Sequence, residues 1–199
     1  MKNTHWTLPL SLLTALLLTA CGGARYVETE GPGTIVTVGE INIQDWIQAG
    51  DALVQDLLDS NAFDRVENPP AVLAISQIVN NTTQQVDTNL LTRRIRIALN
   101  RSGRALTTTT TGLGGSAEDP LARDQAEFDR FTNATETPAP ARPQFSLSGR
   151  LIEERARAGR TRQASFVFQL ALTEIQSGLA VWEGEEIITK QGRRSSVGW

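Results

Sequence analysis

The segment from Phe145 to Lys190 constrains this chain more than any other part of it. Phe166, Phe168, Leu170 and Leu172 alternate with Ser165, Val167, Gln169 and Ala171. A period of two puts the first set on one face of a β-strand and the second on the other. Gly159-Arg160 and Ser177-Gly178 interrupt the pattern with residues suited to tight turns. The spacing therefore predicts three successive strands: Phe145 to Ala158, Arg162 to Ile175, and Leu179 to Lys190.

The chain before this meander mixes helices and strands. Asn42 is placed to cap a helix whose apolar residues recur at Trp46, Ala49, Leu53, Leu57 and at Ile47, Val54, Leu58. Asn68-Pro69-Pro70 is a breaker. Ala71 to Val79 is a continuous apolar run, read as an internal strand, and Asn80-Asn81-Thr82-Thr83 as the loop after it. Thr88 starts a second helix, with Leu91, Ile95, Ala98 and Leu99 on one side and Arg93, Arg94, Arg96 and Arg101 mostly on the other. Ser102-Gly103 ends it with a left-handed cap. Arg104 to Thr111 is β-prone, with five consecutive Thr. Gly112 to Ser116 is a loop. Asp119-Pro120 starts a third helix, with Pro at its first position, carrying Leu121, Gln125, Phe128 and Phe131. Thr135 to Pro143 reads as a surface loop. The order is α-β-α-β-α-β-β-β, and residues 42–199 suit one domain with its own core.

The residue inventory excludes much catalytic chemistry. The chain of 199 residues has one His and one Cys. They are His5 and Cys21, both near the N-terminus. Cleavage after residue 20 would leave no His and one Cys. A Ser-His-Asp or Cys-His site, a His-bearing or Cys-cluster zinc site, and an internal disulfide would all be impossible. No cofactor and no metal ligand is expected. Loss of Lys2 would leave 18 basic against 22 acidic side chains. That acidic balance lacks the bulk charge of a nucleic-acid binder.

Residues 1–20 read as a signal peptide. Lys2 supplies the positive region, and Trp6 to Leu18 is mostly apolar yet shorter than the ~20 residues that span a bilayer. Leu18-Thr19-Ala20-Cys21 resembles the lipobox of bacterial lipoproteins. Small residues before the Cys admit a peptidase, and the Cys21 thiolate accepts the lipid. The resemblance implies a diacylglyceryl thioether at Cys21 and an acyl chain on the new N-terminus. Gly22, rather than Asp, follows the Cys, which implies transport to the outer membrane, facing the periplasm. Residues 21–41 are Gly-rich and read as a lipidated Cys with a short tether. Thr34 to Val38 alternates in a way that suits a short edge strand.

Several other patterns have ordinary explanations. Gly112-Leu113-Gly114-Gly115 precedes a helix but lacks a following Lys-Ser/Thr, and Glu118 and Asp119 would repel an anion. Asn80-Asn81-Thr82 and Asn133-Ala134-Thr135 match glycosylation sequons, but loop chemistry explains them better. Glu153-Glu154 and Glu183, Glu185, Glu186 supply carboxylates of the kind glycoside hydrolysis uses. Strand neighbours point to opposite faces, so solvated strand edges are the reading adopted. Arg150, Arg155, Arg157, Arg160 and Arg162 are placed around one hairpin tip. They either protect an exposed sheet edge with charge or form a positive patch for an acidic periplasmic partner.

Three stretches of the chain together resemble the LpoB family, the outer-membrane lipoprotein activators of class A penicillin-binding proteins. The first is Asp45 to Leu58, ending Val54-Gln55-Asp56-Leu57-Leu58. The second runs from Ile75 through Asn80-Asn81-Thr82, Asp87-Thr88 and Leu90-Leu91 to Ala98-Leu99-Asn100-Arg101-Ser102-Gly103. The third is Leu147-Ser148-Gly149-Arg150, Phe166-Val167-Phe168-Gln169-Leu170 and Ser177 to Glu183. The resemblance implies an α/β (α+β) domain, a mixed sheet flanked by helices, similar to the amino-terminal domain of TolB. It also implies a non-enzymatic role: binding a peptidoglycan synthase and stimulating glycan polymerisation and peptide cross-linking. Asn80, Thr82, Asp87 and Trp182 belong to the family pattern and are read as structural, Asn80 and Thr82 fixing a strand-to-helix turn. The tether departs from the family, which carries a longer Pro-rich one. The alternative is a structural subunit of an outer-membrane secretion or envelope-assembly complex, because fold alone does not decide function.

Overall fold

The structure is a computed structural model that describes residues 26–29, 31, 33–111, 119–132 and 142–193. Cys21, the loops expected at Gly112–Ser116 and across most of Thr135–Pro143, and the Asn133 sequon lie outside the described residues. The chain forms two compact units, Met1–Thr34 and Ile35–Trp199. In the first, the Thr34 hydroxyl donates to the carbonyls of Glu28 at 2.7 Å and Thr29 at 3.0 Å, closing a local turn.

Among the described residues the second unit holds three α-helices and one five-stranded sheet. Helix α1 spans Ile43–Asp59, β1 Ala71–Asn81, α2 Asn89–Ser102, β2 Ala105–Thr111, α3 Pro120–Thr132, β3 Phe145–Ala158, β4 Thr161–Glu174 and β5 Ala180–Arg193. The strand order is β2-β1-β3-β4-β5. β1 is parallel to both β2 and β3, while β3, β4 and β5 form an antiparallel meander. The sheet is mixed and the domain α+β. The expected element order holds throughout, and β3 occupies the expected residues.

The alternation in the last third sets which face is buried. Phe166, Phe168, Leu170 and Leu172 stand opposite Glu153, Leu151, Gly149 and Leu147 of β3. α1 lies over β5 and α2 over β1 and β2 on this face. The apolar sides of α1 (Trp46, Ala49, Leu53, Leu57) and α2 (Leu91, Ile95, Leu99) complete the core. Trp46 meets Phe168 edge to face at 5.7 Å, a favourable aromatic geometry. Gly103 has φ 70° and ends α2 in the left-handed region, as its sequence suggests.

Two expectations change, and a third element is found exposed. Thr34 to Val38 forms no strand; the Thr37 amide donates instead to the Asn42 side chain at 3.0 Å. β1 runs on through Asn80 and Asn81, so these two residues extend the strand rather than open the loop. α3 has the expected Asp119-Pro120 start, and the Asp119 carboxylate accepts the Ala122 amide at 2.9 Å. Its apolar stripe is unpacked, however: Leu121, Phe128 and Phe131 are 78%, 61% and 88% exposed. Among the described residues no helix is long and apolar enough to cross a membrane.

Candidate functional site

The arginine-bearing hairpin joins β3 to β4 through Gly159-Arg160. Ala158 pairs with Thr161, and Gly159 at φ 58° makes the two-residue turn possible. Arg157 and Arg162 stand directly opposite one another, on the same face of the ladder. Both are exposed, and Arg160 projects from the turn itself. Arg193 of β5 pairs with Thr161 and adds a fourth exposed cation. Arg150 does not belong to this group. It pairs with Gln169 in mid-sheet, seven residues or about 23 Å along the strand from Arg157.

Arg155 is exposed, but its guanidinium is already committed. Its guanidinium pairs with Glu153 and donates to the Thr83 hydroxyl at 2.9 Å and the Gly39 carbonyl at 3.5 Å. It therefore fixes the base of the hairpin, and Arg157, Arg160 and Arg162 lie beyond it, toward the tip.

The Glu153 side chain is 2% exposed, which corrects its reading as a solvated strand edge. Glu154 points to the opposite face and is exposed. Burial opposes the Glu153 charge. The Thr83 amide at 2.9 Å, the Arg155 guanidinium and the Thr83 hydroxyl at 2.8 Å outweigh it, and the carboxyl stays below its ordinary pKa of 4.5. A carboxyl that binds its proton less tightly when folded stabilises the fold above the unfolded value. That contribution is complete above about pH 5 and falls away as pH drops through the lowered value. Glu153→Gln is expected to lower stability at pH 7 by about 1–3 kcal/mol. The difference should shrink on acidification below pH 4, read by urea unfolding at several pH values. A pH-independent difference would contradict this role.

The same end of the sheet contains a buried cation. Lys190 is 8% exposed and donates to Asp45 Oδ2 at 2.5 Å, Asn42 Oδ1 at 2.6 Å and the Glu40 carbonyl at 2.7 Å. Its ammonium lies 5.6 Å from the centre of the Phe166 ring. Asn42 stands at the N-cap of α1, and its side-chain oxygen also accepts from the Thr37 amide and the Lys190 ammonium. The Asn42 amide donates to Asp45. Sequence reading missed this cluster. The signal was present: Lys190 occupies the same strand parity as Trp182 and Ile188, which face inward.

The family-pattern residues hold local structure. Asn80 accepts the Thr82 amide at 3.0 Å and hydroxyl at 2.7 Å, and donates to the Gln84 carbonyl at 2.8 Å. Asp87 accepts the Asn89 amide at 2.9 Å at the start of α2. Trp182 is 8% exposed and donates to Asp56 of α1 at 2.9 Å. A second basic surface lies on α2, where Arg93 and Arg101 border the half-exposed Leu90 and Ile97. Its Arg94 is committed to Asp51 at 2.6 Å. Among the described residues no group of three or more metal-ligating side chains occurs.

The chain is similar to the LpoB C-terminal domain from Salmonella enterica, at 21% identity, over 72% of this chain and 98% of that one, with a TM-score of 0.42. The corresponding domain from Escherichia coli gives 17% identity, the same coverage and a TM-score of 0.43. The PelC dodecamer from Paraburkholderia phytofirmans gives 19% identity over 61% of this chain and 71% of that one, with a TM-score of 0.32. No curated protein matches the chain. The family model described as peptidoglycan-synthase activator LpoB matches residues 45–188, from the first turn of α1 to the inward-facing Ile188 of β5. The chain belongs to the family of the peptidoglycan-synthase activator LpoB.

Proposed function

We propose that this chain is an outer-membrane lipoprotein that binds and activates a class A penicillin-binding protein and so regulates peptidoglycan synthesis. The observation that carries the proposal is the family match across residues 45–188. In this reading residues 1–20 are a cleaved signal peptide and Cys21 carries the lipid. Residues 21–41 are the tether, and residues 42–199 are the activator domain, facing the periplasm. The lipobox Leu18-Thr19-Ala20-Cys21 supports the anchor. The domain acts by contact; no catalytic residue and no cofactor is assigned to it. Activation by contact is a population shift, which requires tighter binding to the active than to the inactive synthase. The hairpin end, with Arg155 at its base and Arg157, Arg160 and Arg162 exposed, is its anion-binding surface.

The tether is shorter in practice than its residue range. Gly39 and Ile41 are held by Gln84 at 3.1 and 3.0 Å, and Glu40 by Lys190. The chain from Cys21 to Thr34 spans at most about 50 Å even if fully extended. The synthase must therefore extend most of the way across the periplasm. A chain beginning at Gly22, immobilised and exposed to envelope extract, should retain a class A synthase. Added to that synthase in purified form, it should raise glycan polymerisation. Recovery of no synthase, or capture without stimulation, would defeat the proposal.

A further inference from the structure

We propose that the β3–β4 hairpin end binds an anionic phospholipid surface and turns this end of the domain toward the membrane that holds its anchor. The orientation rests on the lipoprotein reading above; the binding itself does not.

The first argument is where the chain joins its folded unit. Val38 lies over Gly192: a Cβ added there would fall 2.5 Å from Val38 Cγ2. Gly192 is the cross-strand partner of Arg162. Arg155 reaches the Gly39 carbonyl, and Lys190 binds the Glu40 carbonyl. Residues 38–40 thus run beside the rows of β3, β4 and β5 that contain Arg155, Arg162 and Lys190. Any anchor N-terminal to Ile35 pulls the domain by its hairpin end. The far end of the 14-residue strands lies about 45 Å deeper.

The second argument is charge. Arg157 and Arg162 face each other across the ladder, and like charges in that position destabilise a hairpin. Arg160 and Arg193 raise the positive density further. The carboxylates nearby are Glu153, Glu154 and Glu40. Glu153 is consumed by Arg155 and Thr83. Glu154 and Glu40 are exposed and keep their charge, two acids against the four cations Arg157, Arg160, Arg162 and Arg193. An excess of positive charge therefore remains at the tip. Guanidinium groups suit phosphate oxygens because they donate in a planar fork. Each basic residue near an anionic bilayer strengthens binding about fivefold, and the attraction decays over about 8 Å at physiological salt. A short tether keeps the tip within reach of that field. Acyl chains supply the affinity, and the arginines supply the orientation. The helix layer and the far end are then left facing the periplasm for a synthase.

The test uses a chain beginning at Gly22, which keeps the complete core and has no lipid. Binding is measured by sedimentation with vesicles of equal phosphatidylglycerol and phosphatidylcholine, and with phosphatidylcholine alone. Binding to the anionic vesicles should be at least about tenfold tighter and should weaken with salt. The triple variant Arg157→Glu, Arg160→Glu, Arg162→Glu should lose at least about 100-fold with an unchanged unfolding midpoint. Arg150→Glu, about 23 Å away, should bind as the parent does. Equal binding to both vesicle types, or a triple variant that binds normally, would overturn the proposal. Failure on vesicles with loss of synthase capture in the triple variant would also overturn it, and would assign the tip to an acidic protein surface. A vesicle result of either kind leaves the synthase proposal to be judged by its own capture experiment.

Discussion

Lys190→Met should lower the stability of the domain by about 3–5 kcal/mol, because it leaves the Asp45 carboxylate buried without its cation. Asp45 and Lys190 are 5% and 8% exposed. The methionine is close in length to the lysine stem and fills most of its space, so the loss is electrostatic. It also releases the Glu40 carbonyl and Asn42 side chain, which now depend on the ammonium. The double variant Asp45→Leu, Lys190→Met should regain most of the loss, since replacing a whole buried pair by apolar groups is often neutral. Urea unfolding of the three proteins measures this. A single variant within about 0.5 kcal/mol of the parent would show that the pair is not buried in solution. The pair also docks residues 40–42, so Lys190→Met should speed proteolysis between residues 34 and 42 before the core is cut.

The second large effect is expected at Trp182. Its ring covers Gly184, where an added Cβ would lie 2.3 Å from ring atom Cζ2. Its indole donates to Asp56, linking β5 to α1. Trp182→Ala removes the ring and opens a cavity between strand and helix, a loss of about 3–5 kcal/mol. Trp182→Phe keeps much of the packing and loses one hydrogen bond to an exposed carboxylate, about 1 kcal/mol. Gly184→Val should resemble Trp182→Ala, because the branched side chain displaces the ring. Thermal unfolding of the three variants gives the order. A Trp182→Ala midpoint equal to that of Trp182→Phe would show that the ring packs against nothing.

The elements that could be read in advance share a cause. β4 repeats every two residues without a break, so one face had to be buried whatever lay above it. α1 and α2 show helical spacing of large aliphatics, and Gly103, Gly159 and Gly178 sit where the backbone needs positive φ. These are local properties, written in neighbouring residues. α3 marks the limit of such reading. Its start and its amphipathic spacing were legible, but periodicity does not name a partner, and Leu121, Phe128 and Phe131 face outward.

The arginines show the same division. Their gathering near a hairpin followed from the turn at Gly159-Arg160. Arg155 and Arg157 differ by one strand repeat, point to the same face and are both exposed, yet Arg155 alone is tied to Glu153, Thr83 and Gly39. Thr83 and Gly39, respectively 72 and 116 residues away in the chain, make that difference. Glu153 is covered for the same reason. Lys190 follows the inward parity of β5, but only α1, packed across β5, brings Asp45 to it. The sequence by itself determined the elements, their order, the buried face of the sheet and the family, because these depend on short-range spacing and residue type. The tertiary structure alone decided which charges are spent inside the fold and which remain for a partner, and where the tether joins. Those outcomes depend on contacts between residues 70 to 150 positions apart, which no local pattern encodes.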